Sequence, residues 1–359
     1  MKILYGVQAT GNGHITRARA LNKYFAAFGI DVDYLFSGRE KAKFFDMDEF
    51  GSWRCHRGLT FIHEAGHLKI SKTIKENNLR QLFSDIHRLN INKYDAILTD
   101  FEPITAWASR FSKKSCIGVG HQYAFNYPVP RRGDSLIPRL VMKNFAPTKI
   151  SLGLHWHHFG HPILPPIAET GHNNNVSDPN KIVVYLGFED TEQVVQLLEP
   201  FEDYLFVFYG PFAEYESRGH IQLKPLSRDG FKTDLATAAG VICNAGFELS
   251  SEALQLGKKL LVKPLNGQLE QLSNAAALEK LELAVTMETL DQKIVADWLN
   301  SWTAKHVIYP DVAKAIVEWL SKGDWHNPES KIKLVEDLWR QVEAPGLKNF
   351  NQLPILRAA

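Results

Sequence analysis

The segment Val241-Ile242-Cys243-Asn244-Ala245-Gly246-Phe247-Glu248-Leu249-Ser250-Ser251-Glu252-Ala253 runs from an apolar strand pattern through a glycine turn into a helical pattern. Amides left free at such a helix start face an anion, and a diphosphate fits the turn Asn244–Gly246. Glu252, one turn into the helix, can accept hydrogen bonds from ribose hydroxyls. After Gly257 and Pro264, Glu270-Gln271-Leu272-Ser273-Asn274-Ala275 opens the next helix at a neighbouring strand end, where Glu270 and Gln271 meet the hydroxyls of a sugar. Singly, Glu252 also reads as a solvated carboxylate, Gln271 as a surface amide and Gly246 as a turn former. The ordered set favours a site.

A second loop, Gly11-Asn12-Gly13-His14-Ile15-Thr16, also follows an apolar strand and opens a helix. It is half of a dinucleotide fingerprint: the region of Thr16 and Arg17 lacks the third glycine, and the acid that would hold an NAD ribose after the second strand is absent. Only Arg39 is left for an NADP phosphate, so nicotinamide binding is the minor reading. His14 faces the crevice from the helix start, whose positive end disfavours imidazolium and keeps a neutral base on hand at pH 7. A histidine capping its own loop is the alternative. Asp100, with Glu102 as second choice, follows the apolar run 96–99 at the same sheet edge and can hold the second ring nitrogen, as the acid of a catalytic triad does. Two acids solvating a loop are an equal alternative. His121, Gln122 and Tyr123 follow another strand end, and with Arg131, Arg132 and Gly13 they would line an acceptor pocket, the arginines pairing a phosphate or carboxylate.

Positioning these residues requires alternating strands and helices. Strands are expected at 2–8, 32–36, 96–99 and 116–119, with helices at 14–28, closed by Gly29, and near 71–89. After a segment rich in Pro, Gly and Asn, a second series has strands at 182–186, 204–209, 221–224, 241–244 and 259–262 and helices near 191–198, 231–239, 248–256 and 269–281. The fold class is therefore α/β, with two tandem Rossmann-like doubly wound domains facing a cleft: 1–160, a linker at 161–180, 181–325, and a helix and tail at 326–359 that packs across the junction. The site closes by movement about the linker.

The composition, 45% hydrophobic and 23% charged, excludes disorder, collagen and coiled coil. Residues 1–150 carry 23 Lys and Arg against 13 Asp and Glu, a net +10, whereas 151–359 carry 18 against 27, a net −9. The basic half suggests an anionic or lipid-linked partner and peripheral membrane association; nucleic acid is not expected, because no basic stripe is interleaved with aromatics. No apolar run approaches membrane-spanning length and the start shows no cleavage site, so a cytoplasmic location is expected, peripheral at the inner face of the membrane. Cys55, Cys116 and Cys243 read as buried free thiols, and His155, His157, His158 and His161 as a boundary segment rather than a zinc site. Asp31-Val32-Asp33 and Asp46-Met47-Asp48 only mimic an Asp-x-Asp metal motif, so neither metal nor cofactor is expected.

The order Gly-rich loop, Ser, Glu252-Ala253, Gly257, Pro264, Glu270-Gln271 and Asn274-Ala275, together with Gly11-Asn12-Gly13-His14, resembles the inverting glycosyltransferases of GT-B fold, including the lipid II N-acetylglucosaminyltransferase and the UDP-glycosyltransferase-like superfamily. The resemblance implies transfer of a sugar from a nucleoside diphosphate, UDP above all, to a hydroxyl acceptor such as a cell-envelope glycan precursor. Asn244, Gly246, Phe247 and Ser250 would lie at the diphosphate, Glu252 at the ribose, Glu270 and Gln271 at the sugar, and His14 and Asp100 would form a base and its orienting acid. The sequence departs from the pattern at Asn244-Ala245, where many members have His-Gly or Arg-Ser, and at Leu249, where many have Thr. A UDP-N-acetylglucosamine 2-epimerase-like enzyme and a non-catalytic sugar-nucleotide-binding protein are the alternatives.

Overall fold

Apolar residues cover both faces of the first strand, β1 (Lys2–Gln8): Ile3, Tyr5 and Val7 enter one buried cluster and Leu4 another. The computed structural model describes residues 1–60, 63–64, 67–68, 77–133, 136–168, 177–347 and 350. In the N-terminal half, β1 leads into α1 (Gly13–Phe25), β2 (Asp31–Ser37), β3 (Trp53–His56) and a two-stranded pair, β4 (His63–Glu64) and β5 (His67–Leu68). There follow α2 (Leu79–Arg88), β6 (Ala96–Asp100), α3 (Pro103–Ser112), β7 (Cys116–Gly120), α4 (Leu136–Phe145) and β8 (Ile150–Gly153). The main sheet is parallel with order β3-β2-β1-β6-β7-β8. Strand order reverses between β1 and β6, which opens a crevice where the loops after these strands diverge.

The C-terminal half repeats the plan. Its elements are β9 (Asp178–Tyr185), α5 (Thr191–Leu198), β10 (Leu205–Gly210), β11 (Glu216–Arg218), β12 (Ile221–Pro225), α6 (Arg228–Thr237), β13 (Ala238–Asn244), α7 (Phe247–Gln255), β14 (Lys259–Lys263), α8 (Leu269–Lys280) and β15 (Val285–Thr286). The sheet order is β11-β12-β10-β9-β13-β14-β15, parallel except for β11 against β12. Here the reversal falls between β9 and β13. Three helices close the described chain: α9 (Gln292–Ser301), α10 (Val312–Ser321) and α11 (Pro328–Trp339).

The expected two-fold α/β architecture is present, with local differences. α1 ends in a 3-10 turn, Ala26–Phe28, closed by Gly29 at φ +68°, a conformation a glycine adopts without strain. Of the helix expected at 71–89, residues 71–76 lie outside the described residues, and α2 starts behind Asn78, whose side chain accepts from the Gln81 amide. The described part of the expected linker is not a solvated connection: Ile163 and Leu164 are fully buried, and the Trp339 indole of α11 donates to the Ile163 carbonyl at 2.7 Å. α10 packs on α1, and the Tyr24 hydroxyl bonds the Asp311 carboxylate that caps α10. The core is shared: Ile15, Ala18 and Phe25 of α1, Phe247 and Leu254 of α7, and Ile316 and Trp319 of α10 fall in one buried cluster.

Candidate active site

At the β1–β6 reversal the two strands deliver His14 and Asp100 to one point. His14 is the second residue of α1, and Asp100 ends β6 with its side chain fully buried. Phe101, at φ +54°, turns the chain directly after it and stacks on Phe145. His14 Nδ1 lies 2.7 Å from Asp100 Oδ1. A carboxylate only accepts, so Nδ1 carries a proton toward it, and Nε2 is the ring nitrogen left to exchange a proton with a substrate. Arg17, one turn further along α1, donates from Nε to Asp100 Oδ2 at 2.6 Å and from Nη2 to Oδ1 at 2.8 Å. Burial works to raise the Asp100 carboxyl, but the Arg17 guanidinium and His14 overcome it and hold it below the ordinary carboxylate range. Asp100 is thus a charged, doubly clamped acceptor.

Across the cleft, β13 ends at Asn244 and α7 begins behind Gly246. α1, α7 and α8 have no side-chain cap at their starts, whereas α2, α3, α5, α6, α9, α10 and α11 each have one. The first amides of these three helices therefore lack the side-chain acceptor that the others possess. The Glu248 carboxylate, in the first turn of α7, accepts from Arg17 Nη1 and lies against Gly13, where a Cβ would stand 2.4 Å from Glu248 Oε2. α1 and α7 meet directly.

Several donor-side residues are brought to this edge, but not all present side chains to it. Ser250 is fully buried and its hydroxyl donates to the Gly246 carbonyl at 2.7 Å. The Phe247 ring is buried and stacks on His121, with centroids 4.0 Å apart, so its contribution at the turn is its backbone. Asn244 Nδ2 donates to the Lys263 carbonyl at 3.1 Å and stands 3.3 Å from Glu189 Oε1. Glu252 is half-buried on α7. Gln271 Oε1 accepts from the Leu265 amide at 3.0 Å and so fixes the loop before α8, while Glu270 accepts from Gln122 across the junction at 3.1 Å. Sequence reasoning missed Arg17 and the buried Lys263–Glu189 pair, 2.8 Å long, between the end of β14 and the loop after β9.

The acceptor-side expectations need correction. Glu102 caps α3 in complete burial, accepting from the Ile104 and Thr105 amides and from the hydroxyls of Thr105 and Ser37. Burial pushes its carboxyl up and these donors oppose the rise. It faces no cleft. His121 is fully buried, with Nδ1 2.8 Å from the Leu154 carbonyl and Nε2 2.6 Å from Asn274 Oδ1, so it belongs to the junction core. Arg131 donates to the Phe125 and Tyr127 carbonyls, and Arg132 pairs with Glu279 at 2.9 Å and Glu288 at 3.4 Å; neither guanidinium points to an acceptor anion. Gly13 lies against Glu248 of α7. Arg39 braces the first loop through the Ala9 carbonyl and Asn12 Oδ1. Among the described residues no group of three or more His, Cys, Asp or Glu side chains is placed to hold a metal. His155 and His158 are buried, as are Cys116 and Cys243, while Cys55 is half-buried.

A family model described as glycosyl transferase family 1 matches residues 1–302. The chain belongs to this family. A curated relative of this family 1 chain, an uncharacterized glycosyltransferase of Methanosarcina acetivorans, is 29% identical over 141 residues, which is 38% of this chain and 36% of that protein. The chain thus matches about a third of that relative's length. Among solved structures, MurG of Acinetobacter baumannii is similar with a TM-score of 0.52 at 13% identity, over 95% of this chain and 99% of that one. UGT89C1 of Arabidopsis thaliana, solved with UDP, is similar with a TM-score of 0.55 at 12% identity, over 94% and 98%. At these identities the likeness is one of fold, and the fold of this family 1 protein is GT-B.

Proposed function

We propose that this protein transfers a glycosyl group from a nucleoside diphosphate sugar, with UDP as the nucleotide, to a hydroxyl acceptor with inversion. The observation that carries the reading is that, among the helices whose starts are described, the three without a side-chain cap, α1, α7 and α8, are the ones bearing His14, Gly246–Phe247 and Glu270–Gln271. The amides of α7 suit a departing diphosphate without a required metal ion. His14, holding its Nδ1 proton on Asp100, takes the acceptor proton at Nε2 as the acceptor oxygen attacks the anomeric carbon. The C–O bond to the diphosphate breaks on the opposite face, which inverts the centre. Membership of the family and a UDP-bound structure among those of similar fold support the donor class.

A lipid-linked or otherwise anionic acceptor, and peripheral binding to the membrane carrying it, complete the reading. Leu79, Phe83, Phe111, Leu140 and Val141 are exposed on α2, α3 and α4. Contacts from His87 to Phe111, Phe111 to Trp107 and the Trp107 indole to the Asn144 carbonyl join the three helices into one surface. Arg80, Arg110, Arg139 and Lys143 lie on the same helices, the mixture that an anionic lipid surface attracts. Among the described residues no helix is long and apolar enough to cross a membrane.

The test is a thermal-shift panel of UDP, GDP, TDP, CMP and NADPH, followed by turnover of the responding UDP-sugar in the His14→Ala variant. A ligand at 100 times its Kd adds about 2.7 kcal/mol. UDP is expected to raise the melting temperature in both proteins, and turnover, insensitive to EDTA, to fall on the order of 10²–10⁴-fold in the variant. A response to NADPH alone, or full turnover without His14, would overturn the reading. Consumption of UDP-N-acetylglucosamine with no acceptor would favour the epimerase, and UDP binding without any turnover the sensor.

A further inference from the structure

α1 carries a second buried side chain in the same constellation. Arg17 is 2% exposed, and its three guanidinium nitrogens are divided between the two halves of the molecule. Nε and Nη2 hold the two oxygens of Asp100 at 2.6 and 2.8 Å, while Nη1 donates to the Glu248 carboxylate on α7. Nη2 also stands 3.0 Å from His14 Nδ1. A lysine, with one point charge, cannot make this fork. Glu248 reaches it because residue 13 is glycine; a Cβ there would lie 2.4 Å from Oε2, so the glycine supplies room rather than an unusual backbone conformation.

We propose that Arg17 is a positioning residue that ties the His14–Asp100 pair to the seating of the C-terminal half, with Glu248 as the counter-charge that determines how much of the Asp100 charge serves His14. This rests on the reading of His14 as the base. The ionisable groups meeting here are Tyr5 from β1, His14 and Arg17 from α1, Asp100 from β6, Tyr123 from the turn after β7, and Glu248 from α7, whose charge also reaches the buried His121. With Glu248 in place the guanidinium is balanced by two carboxylates, and Asp100 retains charge to stabilise the imidazolium that forms when the acceptor loses its proton. With the halves apart, Arg17 has Asp100 alone. The two charges then largely cancel, and an imidazolium would face the positive end of α1 without compensation. Proton removal is thereby favoured only when the donor-side helix is seated against α1, which limits idle activation of the base before both substrates are enclosed.

The test is a pH titration of the His14 imidazole in the full chain by 15N NMR, its signal assigned with His14→Gln. Arg17→Gln removes a cation beside the ring and is expected to move the midpoint to higher pH. Glu248→Gln removes the anion that balances Arg17 and is expected to move it to lower pH. Arg17→Lys, keeping the charge but not the fork, should fall between wild type and Arg17→Gln. Shifts of one sign in both variants, or none, would overturn the proposal, since a merely structural Arg17 has no reason to produce opposed movements. Arg17→Gln leaves Asp100 buried with one cation fewer and can fail to fold; Glu248, with a side chain 21% exposed, is the safer site, and an unmoved midpoint in Glu248→Gln overturns the proposal alone. The readout needs no substrate, so a chain that turns over no UDP-sugar fails the transferase reading without deciding this one.

Discussion

Asp100 binds the His14 ring and the Arg17 guanidinium from complete burial, and that fixes what its replacement does. Asp100→Asn substitutes an amide donor where both His14 and Arg17 require an acceptor. Turnover is expected to fall on the order of 10²–10⁴-fold, and unfolding free energy by ~3 kcal/mol at pH 7, read from urea denaturation. The sign with pH follows from the depressed carboxyl: its stabilisation is present above the unfolded-chain value of about 3.9 and is lost as pH falls through the folded value, so the gap between wild type and variant should narrow below about pH 4. His14 and Asp100 were legible in the sequence because each follows a short apolar strand. Arg17 was not: it bonds residues 83 and 231 positions away, and nothing in its own neighbourhood distinguishes it from a solvated helix arginine. Glu102 misled for the opposite reason. Its nearness to Asp100 suggested catalysis, whereas the local sequence Glu102-Pro103-Ile104-Thr105 is a helix start with Pro in the first turn.

Among the elements, α3 depends on that cap. Glu102→Ala leaves two amides and two hydroxyls without their acceptor, and the urea midpoint is expected to fall by the equivalent of ~2 kcal/mol. An unchanged midpoint would show that water replaces the cap. The helical surface with exposed Phe83, Phe111 and Leu140 has its own consequence: wild type should sediment with anionic vesicles at low salt and not with neutral ones, and Leu140→Glu should abolish sedimentation. Most parallel strands were readable as short apolar runs between turn residues. β3, β8 and β15 were not, because β3 is a half-buried sheet edge, β8 retains only two buried positions and β15 is two half-buried residues long. α10, capped by Asp311 and apolar on one face, was not anticipated, and its place against α1 is a tertiary fact that periodicity cannot supply.

Taken whole, the two halves share a core at their junction, and histidines lie in it. Burial, with help from His121 and His157, holds the His155 imidazole well below its ordinary value, and burial with His158 pushes His157 down to about 4. An unfolded chain takes up these protons near pH 6.5 and the folded one does not, so stability is complete above that value and declines as pH falls toward 4. The decline should reach at most about 2.7 kcal/mol per pH unit for the two groups together, measured as urea midpoints from pH 7 to 4. A flat profile between pH 7 and 5 would contradict the burial.

Of the described residues, Ala168 lies with the first half and β9 with the second, and the chain returns between α9, which packs on the second sheet, and α10, which packs on α1. Two covalent crossings define a line. A rotation about that line that parts His14 from Gly246 would have to break the Arg17–Glu248 contact and open the shared cluster, carrying α10 along with α1. A pair of labels set far from that line, one on each half, would report such a rotation as a change in their separation.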